Sequence, residues 1–170
     1  EYIEIIVESQ PNPVNYKGEY HYRSGSTKQE LKGSALDKFL LEKQGKHWDS
    51  VPIMNVKIEE LKSETFDFYR KKGIKSNRLN DDVLTDSNEI LLNNLKLTDG
   101  EYLKRAAILL FHPDPERYIT NAYIKIGYFE SDSDLVFQDE IHGNLIEQVE
   151  KTMDLLFTKY IKAIISYDGI

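Results

Sequence analysis

Residues 16 to 28 bring together side chains suited to binding phosphate. Lys17, Tyr20, Tyr22 and Arg23 precede the run Ser24-Gly25-Ser26-Thr27, and Lys28 follows it. Lysine and arginine neutralise phosphate oxygens, hydroxyls and free N–H groups ahead of a helix cradle them, and tyrosine rings stack on bases. Lys17, Tyr22, Arg23, Ser26, Thr27 and Lys28 are therefore candidate nucleic-acid contacts, with a role in positioning the backbone rather than reading bases. The same run also reads as a plain strand-to-helix junction in which the hydroxyls only cap the helix. The densest positive cluster lies elsewhere, at Arg70, Lys71, Lys72, Lys75 and Arg78. Cations there complement the dipole at a helix C-terminus, and that alone accounts for them.

Other chemistry finds no support in the residue spacing. No glycines stand at the spacing of a nucleotide-phosphate loop or a dinucleotide fingerprint. His21, His47, His112 and His142 are scattered, without the close pairing of a zinc site. With no cysteine, thiolate metal sites, disulfides and cysteine nucleophiles are excluded. No serine sits in a nucleophile elbow. Asp132, Asp134, Asp139 and Glu140 lack the glycine and closing glutamate of a calcium loop, and read as a solvated connection between strands. No catalytic residue and no cofactor is expected within this chain.

Charge is distributed unevenly. The chain carries 22 Lys+Arg against 29 Asp+Glu, a formal charge of −7. Residues 1–78 hold 14 basic and 12 acidic side chains, whereas residues 79–170 hold 8 and 17. Phosphate contact is therefore expected in the first half, because the second would repel it. No apolar run approaches the roughly 20 residues of a membrane span, and a cysteine-free chain suits a reducing cytoplasm. The opening, Glu1-Tyr2-Ile3-Glu4-Ile5-Ile6-Val7, reads at once as a strand, as expected of an interior piece of a longer protein.

Several elements must position these groups. Residues 1–8 alternate and are β-branched, so they predict a strand, which Pro11 and Pro13 end. Residues 19–23 predict its antiparallel partner. Thr27 and Glu30 stand at capping-box spacing before a helix through Leu36, Phe39 and Leu40 that stops near Gly45. Residues 47–57, with Trp48 and Pro52, read as a connector. Beyond it, helices are predicted over 59–72 and from Ser87 onward. Residues 104–111 read as a helix, though a buried strand would fit the same length. Strands are predicted over 121–129 and 135–141, a long amphipathic helix from Asn144 to Tyr160, and a hairpin turn at Tyr167-Asp168-Gly169-Ile170. Leu145, Val149, Met153 and Leu156 form its apolar stripe, either core or an oligomer interface.

The succession from Tyr16 through Leu31 resembles the end of the Schlafen/AlbA-like DNA-binding domain of the divergent AAA family. Phe39 through Asp49 with Val51-Pro52, then Arg105 through Phe111, Asp114 through Tyr118 and Glu140 through Leu145, resemble its continuation in order. Such proteins are described as transcriptional regulators or RecG-like ATP-dependent DNA helicases. They join this region to an ATPase-like domain and a winged helix. The upstream segment that supplies nuclease carboxylates in Schlafen relatives is not in this sequence, and the helicase label transfers poorly because nothing in these residues would bind ATP in the expected way.

The resulting expectation is an α+β chain. Residues 1–46 would end an AlbA-like domain with a hairpin and helix, and residues 58–170 would form a mixed α/β middle domain. DNA is the expected partner, through the N-terminal half, in a non-catalytic regulatory role. The alternative is a scaffold that dimerises through the long C-terminal helix.

Overall fold

The computed structural model describes residues 2–8 and 10–161; the hairpin turn expected at 167–170 lies outside them. The protein is α+β, and its chain divides between Val51 and Pro52 into two compact units.

The first unit is organised by turns. Gly25, at φ 62°, occupies the first central position of a two-residue connection, a conformation that costs glycine nothing. It joins β1 (His21–Ser24) to β2 (Thr27–Glu30), antiparallel with His21 opposite Glu30 and Ser24 opposite Thr27. A smaller turn precedes it, where Lys17 and Gly18 both take positive φ and Tyr16 bridges Glu19. Helix α1 (Gly33–Lys43) follows, and its Phe39 ring lies 6.0 Å from that of Tyr20. No described residue of this unit is fully buried.

Two expectations for this unit are corrected. Residues 2–8 enter no strand and stay exposed, and residues 19–23 pair forward with β2 instead. Alternation makes a segment fit for a sheet, but only a neighbouring strand can take up its N–H and C=O groups. Thr27 and Glu30 do not cap a helix either. Both lie in β2, where the glycine turn commits them to a ladder, and α1 begins at Gly33 without a side-chain cap.

The second unit is built around an apolar core. Short strands β3 (Pro52–Ile53), β4 (Thr98–Asp99) and β5 (Tyr102–Lys104) form an antiparallel sheet in the order β3-β5-β4. Helices α2 (Ser63–Lys75), α3 (Asn88–Asn94) and α4 (Arg105–Phe111) pack with it. Phe66, Leu91, Leu92, Leu103, Ile108 and Phe111 are almost completely buried, each contributing about 1.5–3 kcal/mol by leaving water. The Phe66 and Phe111 rings stack at 4.1 Å. Of residues 104–111, open to two readings, all but Lys104 are helical, because Ala107, Ile108 and Phe111 then share one buried face. Ser87 caps α3 as its spacing predicts, its hydroxyl accepting the Ile90 N–H at 3.2 Å.

A second hairpin, β6 (Ile124–Ser131) with β7 (Asp134–Ile141), carries helix α5 (Leu145–Leu155), which widens into a π-helical turn over Leu156–Tyr160. The described strands pair only antiparallel, so the mixed sheet expected of the middle domain does not form: each pairs with a strand joined by a tight turn or lying antiparallel beside it. Tyr160 fastens the end of α5 to the hairpin. Its hydroxyl donates to Asp139 Oδ2 at 2.7 Å, and burial, followed by the Asp139 carboxylate, pushes the phenol up to about 12.

Candidate nucleic-acid interface

The hairpin register sorts the predicted contacts onto two faces. Directly opposed residues of an antiparallel pair share a face, and neighbours along a strand do not. Arg23 stands opposite Lys28, so their side chains leave the same face. Lys28 Nζ lies 5.4 Å from the centre of the Tyr16 ring, and Lys17 Nζ lies 5.5 Å from it. Lys17 and Lys28 thus meet at Tyr16, and Arg23 shares the hairpin face of Lys28. Tyr22 and Thr27 belong to the opposite face, where the Tyr22 hydroxyl donates to Gln29 Oε1. Ser26 sits in the turn between the strands. The expected seat at a helix N-terminus does not form, because the Ser24–Thr27 run connects two strands.

Like charges directly opposed on a hairpin destabilise it by a few tenths of a kcal/mol or more, on the order of 0.2–1. Among the described residues neither Arg23 nor Lys28 has an ion-pair partner. The acids flanking the ladder are engaged elsewhere, Glu19 with His21 at 3.3 Å and Glu30 with Lys32 at 2.7 Å. The result is an exposed cationic pair that an external anion would relieve. Sequence reasoning missed Tyr16, whose only signal was its place beside Lys17 ahead of the Gly18 turn.

The larger basic cluster is divided by burial. Arg70 is drawn inside, donating from Nε to Val83 O at 3.1 Å and from Nη2 to Asp86 O at 3.0 Å. Lys71, Lys72, Lys75 and Arg78 remain exposed. The histidines stay apart. The His112 ring is buried edge-on to Tyr118, and its Nδ1 accepts the Asp114 N–H. His142 lies between Glu116 and Glu140, its Nδ1 2.5 Å from Glu116 Oε2. Among the described residues no group of three or more acidic or imidazole side chains is arranged to hold a metal, and no helix is long and apolar enough to cross a membrane.

The stripe on α5 faces outward. Leu145, Val149 and Met153 are exposed, whereas Leu156 is half-buried and Phe157 takes its place at the exposed end. The inward side carries Asn144 and Gln148, both fully enclosed. Asn144 Oδ1 caps the helix at the Glu147 N–H, and its Nδ2 donates to Thr65 Oγ1 at 3.1 Å. Gln148 Nε2 donates to the carbonyls of Ala122 and Gly143, each at 2.6 Å.

No family model, no curated protein and no solved structure matches this chain. The class that fold and surface define is an α+β protein of two compact units, one carrying a cationic hairpin and the other an outward apolar helix face.

Proposed function

We propose that the β1–β2 hairpin seats the phosphate backbone of DNA, and that the protein acts as a non-catalytic, DNA-associated regulatory module of the Schlafen/AlbA-like, divergent AAA kind. The observation that carries this reading is Arg23 opposite Lys28 without an acidic partner, with Lys17 and Lys28 both over the Tyr16 ring. Such a cluster gains most from an anion and offers no reacting group. Residues 1–51 hold 7 basic and 8 acidic side chains, so affinity here must come from this local cluster rather than from a general positive field. Three cations predict weak, strongly salt-dependent binding, with a slope of log affinity against log salt near −2 to −3. A cytoplasmic setting belongs to the same proposal, supported by the absence of cysteine. A second reading, a scaffold joining DNA-binding and ATPase-like domains, is favoured by the outward stripe of α5.

Fluorescence anisotropy with a labelled mixed-sequence duplex, titrated from about 50 to 200 mM salt, tests the DNA reading. Arg23→Gln with Lys28→Gln should weaken binding on every sequence and flatten the slope by up to about two units. The same pair should leave hairpin stability unchanged or raised, because a repulsion is removed. Equal binding by the double variant, or no binding by the parent chain at low salt, removes the hairpin from the function.

A further inference from the structure

Helix α5 leaves part of its apolar surface uncovered. Its inward side mixes Ile146, packed on the core, with Asn144 and Gln148, satisfied by hydrogen bonds, and the Thr152 hydroxyl, buried without one. Its outward side presents Leu145, Val149, Met153 and Phe157 at intervals of four residues, from 39% to 64% exposed. Residues at that spacing line one ridge of a helix. The ridge borders an open groove of ≈ 410 Å³, whose lining includes Leu110 and Phe68. Contiguous apolar surface of this kind marks an interaction site.

The walls of the groove carry opposite charge. Lys72 lines it on the α2 side and Glu150 on the α5 side; Lys75 and Asp154 follow them in sequence at helical spacing, both exposed. Lys72 and Glu150 meet at 3.7 Å, with both side chains more than half exposed. An exposed pair of this kind is worth little and exchanges partners readily. A two-fold axis running along the groove would lay the acidic wall of one copy on the basic wall of its mate. It would do so twice, and it would bury both ridges.

We propose that the α2–α5 groove is the self-complementary interface of a homodimer, with the ridge Leu145, Val149, Met153 and Phe157 as its apolar centre and the Lys72/Lys75 and Glu150/Asp154 walls as its rim. Charge complementarity selects a second copy as occupant, since one surface supplies both signs in the arrangement that a two-fold interface requires.

Light scattering coupled to size exclusion on the whole chain, over the micromolar range, is the first test. A dimer is expected. Val149→Glu with Met153→Glu places carboxylates in the apolar centre and should weaken association at least ~100-fold, with an unchanged circular dichroism spectrum. The sharper test exchanges the rims. Lys72→Glu with Lys75→Glu makes both walls acidic, and Glu150→Lys with Asp154→Lys makes both basic, so each variant alone should be monomeric. Mixed in equal amounts they should form a heterodimer, because every acidic wall then meets a basic one. A parent chain that stays monomeric, a dimer indifferent to Val149→Glu with Met153→Glu, or a mixture that remains monomeric would each overturn the proposal. The first would leave the ridge to a different protein. DNA binding through the hairpin is measured separately, so either result leaves the other standing.

Discussion

Arg70 belongs by sequence to the most basic stretch of the chain, yet its guanidinium is almost out of solvent, 6% exposed. It reaches the carbonyls of Val83 and Asp86, tying α2 to the loop that leads into α3, while Asp67 lies 3.6 Å away on the wetter side. Hydrogen bonds from a charged donor contribute about 1.5–3 kcal/mol, and removing the donor leaves buried acceptors unpaired. Arg70→Met should therefore lower stability by about 2–4 kcal/mol, read as a shift of the urea midpoint at constant slope. Lys71→Met and Arg78→Met, at exposed positions, should stay within about 0.5 kcal/mol. Equal effects at all three positions would show that Arg70 is no more structural than its neighbours. Helical spacing sets Arg70 one turn after the buried Phe66, but its partners are carbonyls 13 and 16 residues away, which no local pattern shows.

At the scale of elements, α2 shows how packing overrides propensity. Gly73 lies inside the helix, where alanine would ordinarily be favoured by about 1 kcal/mol. A Cβ at that position would stand 2.3 Å from Leu79 Cδ1 and 2.7 Å from Leu79 Cγ. The Gly73 carbonyl also accepts the N–H groups of Arg78 and Leu79 as the chain folds back over the helix end. Leu79 cannot retreat without giving up that return. Gly73→Ala should consequently destabilise the protein by about 1–2 kcal/mol despite its better helix propensity. Adding Leu79→Ala should recover part of the loss, a non-additivity that a double-mutant cycle by chemical denaturation would detect. A stabilising Gly73→Ala would mean that the approach of Leu79 is not a constraint. The expected helix over 59–72 is found at 63–75 because residues 58–60 form a separate 3₁₀ turn ahead of Leu61.

For the whole molecule, the decisive contrast is between units with and without a core. Every buried apolar side chain among the described residues lies after Val51; the hairpin and α1 before it rest on half-buried contacts such as Tyr20 with Phe39. Regions with few buried apolar groups open at low free energy, and two-stranded hairpins are marginal on their own. Native-state hydrogen exchange should thus show amides of β1, β2 and α1 exchanging far faster than those of α2, α4 and β5, by roughly a thousandfold or more. Comparable protection in both units would show that the first is stabilised by more than its own contacts. Low intrinsic stability also suits a surface that orders when it meets phosphate, the setting proposed for the hairpin.

The α+β class, the capped start of α3 at Ser87, the strands expected at 121–129 and 135–141 (found at 124–131 and 134–141) and the helix from Asn144 were all legible from residue order. Each depends on neighbours within a few positions: caps, turn glycines and periodicity act locally. The pairing of strands, the depth of side chains and the facing of α5 were not legible in this way. Residues 2–8 have the alternation of a strand but no ladder, and Thr27 with Glu30 has capping spacing but lies in a strand. The α5 pattern revealed an apolar stripe, yet only the tertiary structure places Asn144 and Gln148 inside and the stripe outside. Burial and hydrogen-bond partnership are relations between residues distant in sequence. A local pattern can say that a surface needs covering, and only the folded chain decides what covers it.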